Sequence, residues 1–501
     1  MEHGVETNSC AGMDAFVRNN TESSGSMSKD HKSSSKYAST PTEMSTSHKS
    51  HPTHDELYAF GKSLREKCPR ESHAIWRPAN NRTDPIRLLE TSSEGRIPEL
   101  IPIRYGRMLQ SPFTFYRGAA LNMAADLART PVTKLRVQAC GDCHLCNFGA
   151  FATPERRVIF DINDFDETLP APWEWDVKRL AASFMLACRN NGFRDVDARD
   201  AVLTCVRSYR EQMAKFAEMR TLDVWYASID FEQALTRIQD KDARKRAQKR
   251  MVKATQRSVV EHDFPELVTT AGMEPVIKEN PPLIFHPRER GKEEFMATVN
   301  KGFAEYRDTL PEHRRLLLDR FQLKDLAVKV VGVGSVGSIC GIMLLMASDT
   351  DPLFLQIKQA RPSVLEAFAG KSIYSNHGER VVVGTQLMQS ASDLFLGWAA
   401  GHWDRQFFIR QLRDVKIKML VELFTTSAME SYAEICGWTL ARAHARSGEP
   451  VKISGYLGKS DTFDKSIADF SMAYADQCEN DHGLLRQAVS DGRLEVFIEE
   501  P

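Results

Sequence analysis

The segment Val158–Glu167 reads VIFDINDFDE, an apolar strand that runs straight into Asp161, Asp164, Asp166 and Glu167. No other feature constrains the fold so tightly. Carboxylates crowded at the end of an apolar strand repel one another and lose hydration, so the fold has to supply cations to them. Upstream, the loop CGDCHLCNFG places Asp142 and Asn147 five residues apart, and Asp161 follows Asn147 by fourteen. Mg²⁺ suits such a set, because it takes carboxylate and amide oxygens and keeps positions open for phosphate oxygens. In phosphoryl transfer one Asp orients the acceptor, an Asn holds metal, and a further Asp holds the metal that bridges the phosphates.

The rest of the chain limits what can surround this segment. Its 501 residues carry 66 Lys plus Arg against 67 Asp plus Glu, a net charge of −1. No global field then favours nucleic acid or an anionic membrane, and neither is expected as a partner. No apolar run approaches the ~20 residues of a membrane span. The first thirty residues lack an apolar export core, and ten cysteines in so long a chain do not make a disulfide framework. A cytoplasmic protein is the expectation.

Residues 1–54 read as a disordered polar tail holding five of the fourteen histidines. Residues 55–325 read as a helical lobe interrupted by a hairpin at 133–160, with a helix over 173–192 and long helices over 196–262. The stretch 241–257 is rich in Lys and Arg without interleaved aromatics, which reads as a solvated helix face rather than an RNA surface. Residues 326–414 read as β-rich, and 415–501 return to helix. Helices and strands are segregated rather than alternating, so the expected class is α+β with two lobes.

The β-rich part opens with VVGVGSVGS, a G-x-G-x-x-G pattern at Gly332, Gly334 and Gly337. A dinucleotide fingerprint requires a helix next and an acid about twenty residues on. SICGIMLLMA would be that helix, and Asp349 or Asp351 that acid, giving an oxidoreductase alternative. A Walker loop is excluded, since no Gly stands five before the Gly of any Gly-Lys-Ser. A kinase-type loop requires instead a β-hairpin and then a strand bearing a phosphate-binding Lys. PLFLQIKQA supplies Lys358 in such a strand, with Glu366 as its candidate partner. Arg380–Gln389 (RVVVGTQLMQ) then reads as a strand and hinge, with Met388 against an adenine.

The cysteines carry rival chemistries. Cys140–His144 spells C-x-x-C-H, the c-type haem pattern, but haem attachment needs export. Cys140, Cys143 and Cys146, with His144 as a fourth ligand, would suit zinc or an iron–sulfur cluster. A tight loop with buried thiols is the plain structural alternative. Arg117, and the strip Arg410, Asp414 and Lys416, would line a phosphate cleft or pair with surface acids. His444 reads as a hydrogen-bonded structural histidine.

G-D-x-H-x-x-N followed by an apolar strand and Asp resembles the catalytic loop and metal-binding Asp of the aminoglycoside and choline phosphotransferase branch of the protein-kinase-like fold. Cys140 replaces the usual His before the Gly. The resemblance implies Asp142 as catalytic Asp, His144 as loop His and Asn147 as metal ligand. It implies Asp161 as the main metal ligand, with Asp164 competing for that place. PWEWDVKRLA resembles the segment that follows in those kinases and makes Asp176 a structural acid. The Gly-rich part lies after the catalytic loop, and LARAHARSG (440–448) resembles the helix that should precede that loop, so a circular permutation is implied. The implied activity is transfer of phosphate, or of a nucleotidyl group, from ATP with Mg²⁺ to an unknown acceptor. A nucleotide-binding scaffold without turnover is the rival from another class. From about residue 85 the chain also resembles the bacterial family of domain of unknown function 2252, through SPFTFYRGAA, GDCHLCNFG, FDINDFDET, WEWDVKRLAAS, GVGSVG, DPLFLQIKQA and SDLFLGW.

Overall fold

The computed structural model describes residues 51–238, 240–256, 264–271, 274–281, 283–286, 292–329, 336–400, 405–412 and 415–499. The first helix, α1 (His54–Ser63), starts where Thr53 and Glu56 exchange the reciprocal hydrogen bonds of a capping box. Helix α2 (Pro112–Gly118) is started the same way by Ser111 and Thr114, with Pro112 at its first turn.

The acid segments sit between two small sheets. Strand β1 (Arg136–Ala139) leads through the loop 140–147 into β2 (Phe148–Ala152). Strand β3 (Val158–Ile162) pairs back on β2 with Gly149 opposite Asp161. Strand β4 (Leu169–Pro172) then returns to pair with β1, Leu169 opposite Ala139. Because β1 pairs with β4 and β2 with β3, the two connections, 140–147 and 163–168, run side by side. That topology brings the Asp142 loop against the Asp164–Glu167 loop.

Helix α3 (Trp173–Asn190) follows at once and is buried on every side from Trp173 to Cys188. A helix so enclosed is the centre of a helical body. Helix α4 (Asp195–Glu218) packs along it, and the Trp173 and Tyr209 rings stack at 5.7 Å. The expected run of long helices over 196–262 is broken by the short strand β5 (Ile229–Asp230), which extends the β2–β3 hairpin, before α5 (Lys241–Gln256).

Strands β6 (Ile284–Phe285), β7 (Gln322–Lys329), β8 (Cys340–Ser348) and β9 (Asp351–Ala360) belong to one antiparallel sheet. SICGIMLLMA is thus a strand. Met343 and Leu345 face a core with Tyr306 and Phe395, while Ile342, Leu344 and Met346 face Ile277 and Phe354. Both faces are covered, so the strand is continuously apolar and lacks the usual alternation. The dinucleotide alternative loses the helix it requires.

Arg380–Gln389 also departs from expectation, forming most of helix α6 (His377–Met388) rather than a strand and hinge. The Asn376 side chain accepts from the Gly378 and Glu379 N–H groups, and Val381, Val382, Thr385 and Met388 are buried at helical spacing. Burial decides here over the β-propensity of three consecutive valines. Gly378 allows the close approach: a Cβ there would lie 2.1 Å from the Phe407 carbonyl oxygen. Strands β10 (Gly397–Ala400) and β11 (Gln406–Gln411) complete the sheet in the order β10-β11-β9-β8-β7-β6. The chain returns through β12 (Lys416–Lys418), the edge strand beside β2, into α7 (Thr426–Ser447) and α8 (Thr462–Ser490). Pro52–Pro501 form a single compact unit. The tail expectation, up to Ser50, lies outside the described residues. Among the described residues no helix is long and apolar enough to cross a membrane.

Candidate active site

Gly141 takes a positive φ of 84°, and a Cβ there would stand 2.3 Å from the Glu167 carbonyl oxygen. Only glycine lets the two acid loops come so close. The turn is held from below by Asp176, which accepts the Cys140 N–H at 2.6 Å and the Gly141 N–H at 3.0 Å. His444 on α7 approaches the same carboxylate at 3.2 Å and meets the Tyr209 hydroxyl at 2.8 Å through its other nitrogen. Asp176 and His444 are both buried, so the loop rests on a hydrogen-bond network inside the protein.

Asp142 is oriented by Arg179, three residues after Asp176 on α3. The Arg179 Nε donates to Asp142 Oδ1 at 2.7 Å, and a second guanidinium nitrogen donates to the same oxygen. Arg179 is in turn fixed over the Tyr116 ring, 4.5 Å from its centroid. Among the described residues, Asp142 Oδ2 has the His144 ring as its ionisable neighbour, at 3.9 Å. Burial, helped by Arg117 and Arg179, pulls the His144 pKa down to about 4 against the pull of Asp142, so His144 is neutral at pH 7. Asn147 donates to the Asp142 carbonyl at 2.8 Å, which fixes its amide and leaves its Oδ1 without a donor among the described residues.

Asp161 is spent elsewhere. It is fully buried, with Oδ1 on Arg442 of α7 at 2.5 Å and on the Ile162 N–H at 2.8 Å. Its Oδ2 accepts the Ser390 N–H at 2.9 Å and hydroxyl at 2.8 Å. This carboxylate ties the hairpin to α7 and to the residues after α6.

Asp164 lies nearer solvent, its side chain 37% exposed, and Asp166 lies beside it. Lys358, from the middle sheet strand β9, reaches both: its Nζ is 2.6 Å from Asp166 Oδ2 and 3.8 Å from Asp164 Oδ1. Burial alone would lower the lysine's pKa, but the two carboxylates outweigh it and hold it above the ordinary value. Burial would raise both acids. Lys358 and Arg410 overcome this at Asp164, which is lowered, whereas Asp166 is raised by burial and by Asp164. The expected partner Glu366 is not there. It lies in the one-turn helix Glu366–Ala369, accepting the Ser363 N–H at 3.2 Å, with His377 at 3.6 Å. Met388 is fully buried, its sulfur 4.0 Å from the Thr168 hydroxyl, so it packs the core instead of facing a base.

The sheet is fastened to the acid loop by a residue that sequence reasoning passed over. Arg380 of α6 donates to the carbonyls of Thr168 at 2.6 Å, Asp166 at 2.8 Å and Arg361 at 2.8 Å. It thereby joins the loop, the helix and the end of the lysine strand. Arg410 adds a bond to the Asn163 carbonyl at 3.2 Å. Lys416 is exposed on β12; desolvation and then Arg410 lower its pKa. Arg117 has no carboxylate partner among the described residues, and its Nε is buried without a hydrogen bond. Asp414 lies outside the described residues.

Of the glycine pattern, Gly337 is described and Gly332 and Gly334 are not. Gly337 has a φ of 84° and accepts the Ile97 N–H at 2.7 Å, while Arg96 donates to the Val336 carbonyl at 2.6 Å. Three residues on, Cys340 stands opposite Lys358 in the β8–β9 register. The end of the glycine segment is therefore close to the lysine.

The cysteine readings do not fit. Cys140, Cys143 and Cys146 are free thiols, and among the described residues no three His, Cys, Asp or Glu side chains form a metal cluster. A hydrogen bond from Cys143 lowers the Cys140 pKa, but burial and nearby acids raise it to about 11 overall, and burial raises Cys143 well above its usual range. Without a metal such thiols stay protonated. The residues fit Mg²⁺ differently. Asp164 and Asn147 offer oxygens on adjacent loops, a set that is incomplete until phosphate oxygens join it, which is the usual manner for this ion.

Fold and site together define an α+β protein in which two acid loops on a helical body share a polar cluster with a lysine from an antiparallel sheet. The chain belongs to the DUF2252 family, described as an uncharacterized protein conserved in bacteria, whose model matches residues 96–488. No curated protein and no solved structure matched significantly.

Proposed function

We propose that this chain is a Mg²⁺–ATP-dependent phosphotransferase with the parts of a protein kinase in permuted order. One observation carries the reading: Lys358, 192 residues from Asp166 in sequence, forms an ion pair with it beside Asp164. The order of parts in the sheet supports it. The glycine segment joins β7 to β8, the following strand β9 bears the lysine, and helix α6 follows, as in a kinase nucleotide lobe.

In this reading Lys358 and Arg410 receive the phosphates. Asp164, rather than Asp161, holds the metal together with Asn147, because both Asp161 oxygens are already taken by Arg442 and Ser390. Mg²⁺ held by Asp164 and Asn147 would supply positive charge to offset that of the phosphates. Asp142 orients the acceptor hydroxyl through Oδ2. The acceptor oxygen bonds to the terminal phosphorus, the bond from that phosphorus to the bridging oxygen breaks, and ADP departs. The hydroxyl proton passes to Asp142 or to solvent. Since Arg179 neutralises Asp142, orientation matters more than basicity, which suits a loose transition state.

A thermal-shift series with ATP, NAD and Mg²⁺ tests this. ATP should stabilise the protein only with Mg²⁺, by about 2.7 kcal/mol at a hundredfold excess over Kd. Stabilisation by NAD, or by ATP without the metal, refutes it. The Arg179 clamp on Asp142 favours a second reading, a nucleotide-binding scaffold. Asp142→Asn separates the two: in an enzyme it removes ATP turnover and keeps binding, whereas a scaffold has no turnover to lose.

A further inference from the structure

Helix α5 carries seven cations, Lys241, Arg244, Lys245, Arg246, Lys249, Arg250 and Lys253, against one acid, Asp242. Among the described residues none of the seven is within 4.0 Å of a carboxylate in an ion pair, although Asp240, just before the helix, feels Arg246. In a chain of net charge −1 this is a strong local concentration of positive charge. The helix also borders a crevice. Arg246 and Arg250 line one wall with Ala243 and Ala247, and Lys418, Leu420, Leu423 and Phe424 line the other. Leu420 is 39% exposed and Leu423 is 58% exposed. A solvent-facing apolar wall under unpaired guanidinium groups is not what solubility alone requires.

We propose that the crevice between α5 and β12 docks an acidic segment of a partner protein, with apolar side chains seated against Leu420 and Leu423 and carboxylates on Arg246, Arg250 and Lys418. The chemistry favours this occupant over other polyanions. Nucleic acid would leave most of the apolar wall unused, since Phe424 is the one aromatic ring among the residues that line the crevice. A bilayer requires an apolar helix face to insert, but Ala243 and Met251 are already buried in the protein. Charge complementarity at the rim sets encounter and selection, and the apolar wall supplies the anchor. The proposal is independent of the transfer chemistry.

The test is fluorescence anisotropy of the full chain with a short labelled peptide of interleaved glutamate and leucine. The comparison probes are the same peptide with Gln for Glu, the same with Ser for Leu, a single-stranded RNA of similar length, and phosphatidylserine vesicles. The acidic leucine peptide should bind in a salt-sensitive manner, and each other probe at least about tenfold more weakly. The double variant Arg246→Glu/Arg250→Glu should weaken the peptide by about tenfold or more, with circular dichroism and melting unchanged. Leu423→Ser, at an exposed position, should weaken it about three- to tenfold without altering salt sensitivity. Equal binding of RNA or vesicles, equal binding of the serine peptide, an unchanged affinity in the charge-reversed variant, or no binding at all overturns the proposal.

Discussion

Replacing Asp161 and Asp164 one at a time by Asn separates a carboxylate that holds the fold from one that holds a ligand. Asp161 is fully buried against Arg442, whose Nε and remaining Nη have no hydrogen-bond partner among the described residues. Asp161→Asn keeps the shape but strands a buried guanidinium, and breaking a buried ion pair from one side costs about 3–5 kcal/mol. The Ser390 and Ile162 N–H groups also lose a charged acceptor, so the upper end of that range is expected. Asp164 is more exposed and its nearest cation is 3.8 Å away, so Asp164→Asn should change stability by about 1 kcal/mol or less. Urea unfolding reads both, as a change in midpoint at constant slope. Repeating it with ATP and Mg²⁺ gives the second axis. Asp161→Asn should retain the increment added by nucleotide in the molecules that remain folded, whereas Asp164→Asn should lose its metal-dependent part. Adding Arg442→Met to Asp161→Asn should restore part of the lost stability, because the stranded charge is then gone. The reasoning fails if Asp161→Asn leaves stability intact and removes the metal response, or if Asp164→Asn costs several kcal/mol.

Lys358→Met should lower ATP affinity by about tenfold or more, since it removes the cation that faces both acids, and isothermal titration reads this directly. Gly141→Ala forces a side chain into a left-handed turn and against the Glu167 carbonyl; about 1–2 kcal/mol of stability should go, and ATP turnover should fall more steeply than ATP affinity. His73 and His144 are buried and neutral, with pKa values lowered to about 2 and about 4 mainly by desolvation. The unfolded chain takes up both protons near pH ~6.5, so stability should fall as pH drops from about 6.5 to 4. The slope of unfolding free energy against pH should be shallower by about one proton in His73→Phe. An equal slope would show that His73 already binds a proton in the folded state.

The sequence exposed the acid hairpin and the lysine strand because each is a local pattern with a physical cost. Carboxylates after an apolar strand and a cation inside one both require partners. What it concealed were the partners themselves. Asp161 reads as a metal ligand because it stands at the end of an apolar run, and the sequence gives no sign that Arg442, 281 residues away, pairs with it. Glu366 was a reasonable counter-ion by proximity in sequence, yet Asp166 lies nearer in space because β3–β4 turns under the sheet. Three successive valines suggested a strand at 381–383, and the burial of one face with an Asn cap made a helix. Arg179 carries the one signal that reading could have used: it stands three residues after Asp176, on the same face of α3, aimed at the same loop. Arg380 gives no comparable hint, since its role depends on three carbonyls from two distant segments.

Two side chains that anchor the acid segments, Arg442 for Asp161 and His444 for Asp176, both lie on α7. A nascent chain that has emerged from the ribosome only as far as β11 already contains every residue proposed to touch nucleotide, yet Asp161 on β3 and Asp176 on α3 still lack their α7 partners. Chains that stop short of α7 should therefore be short-lived, and the acid hairpin should gain its native anchorage only once α7 has been made.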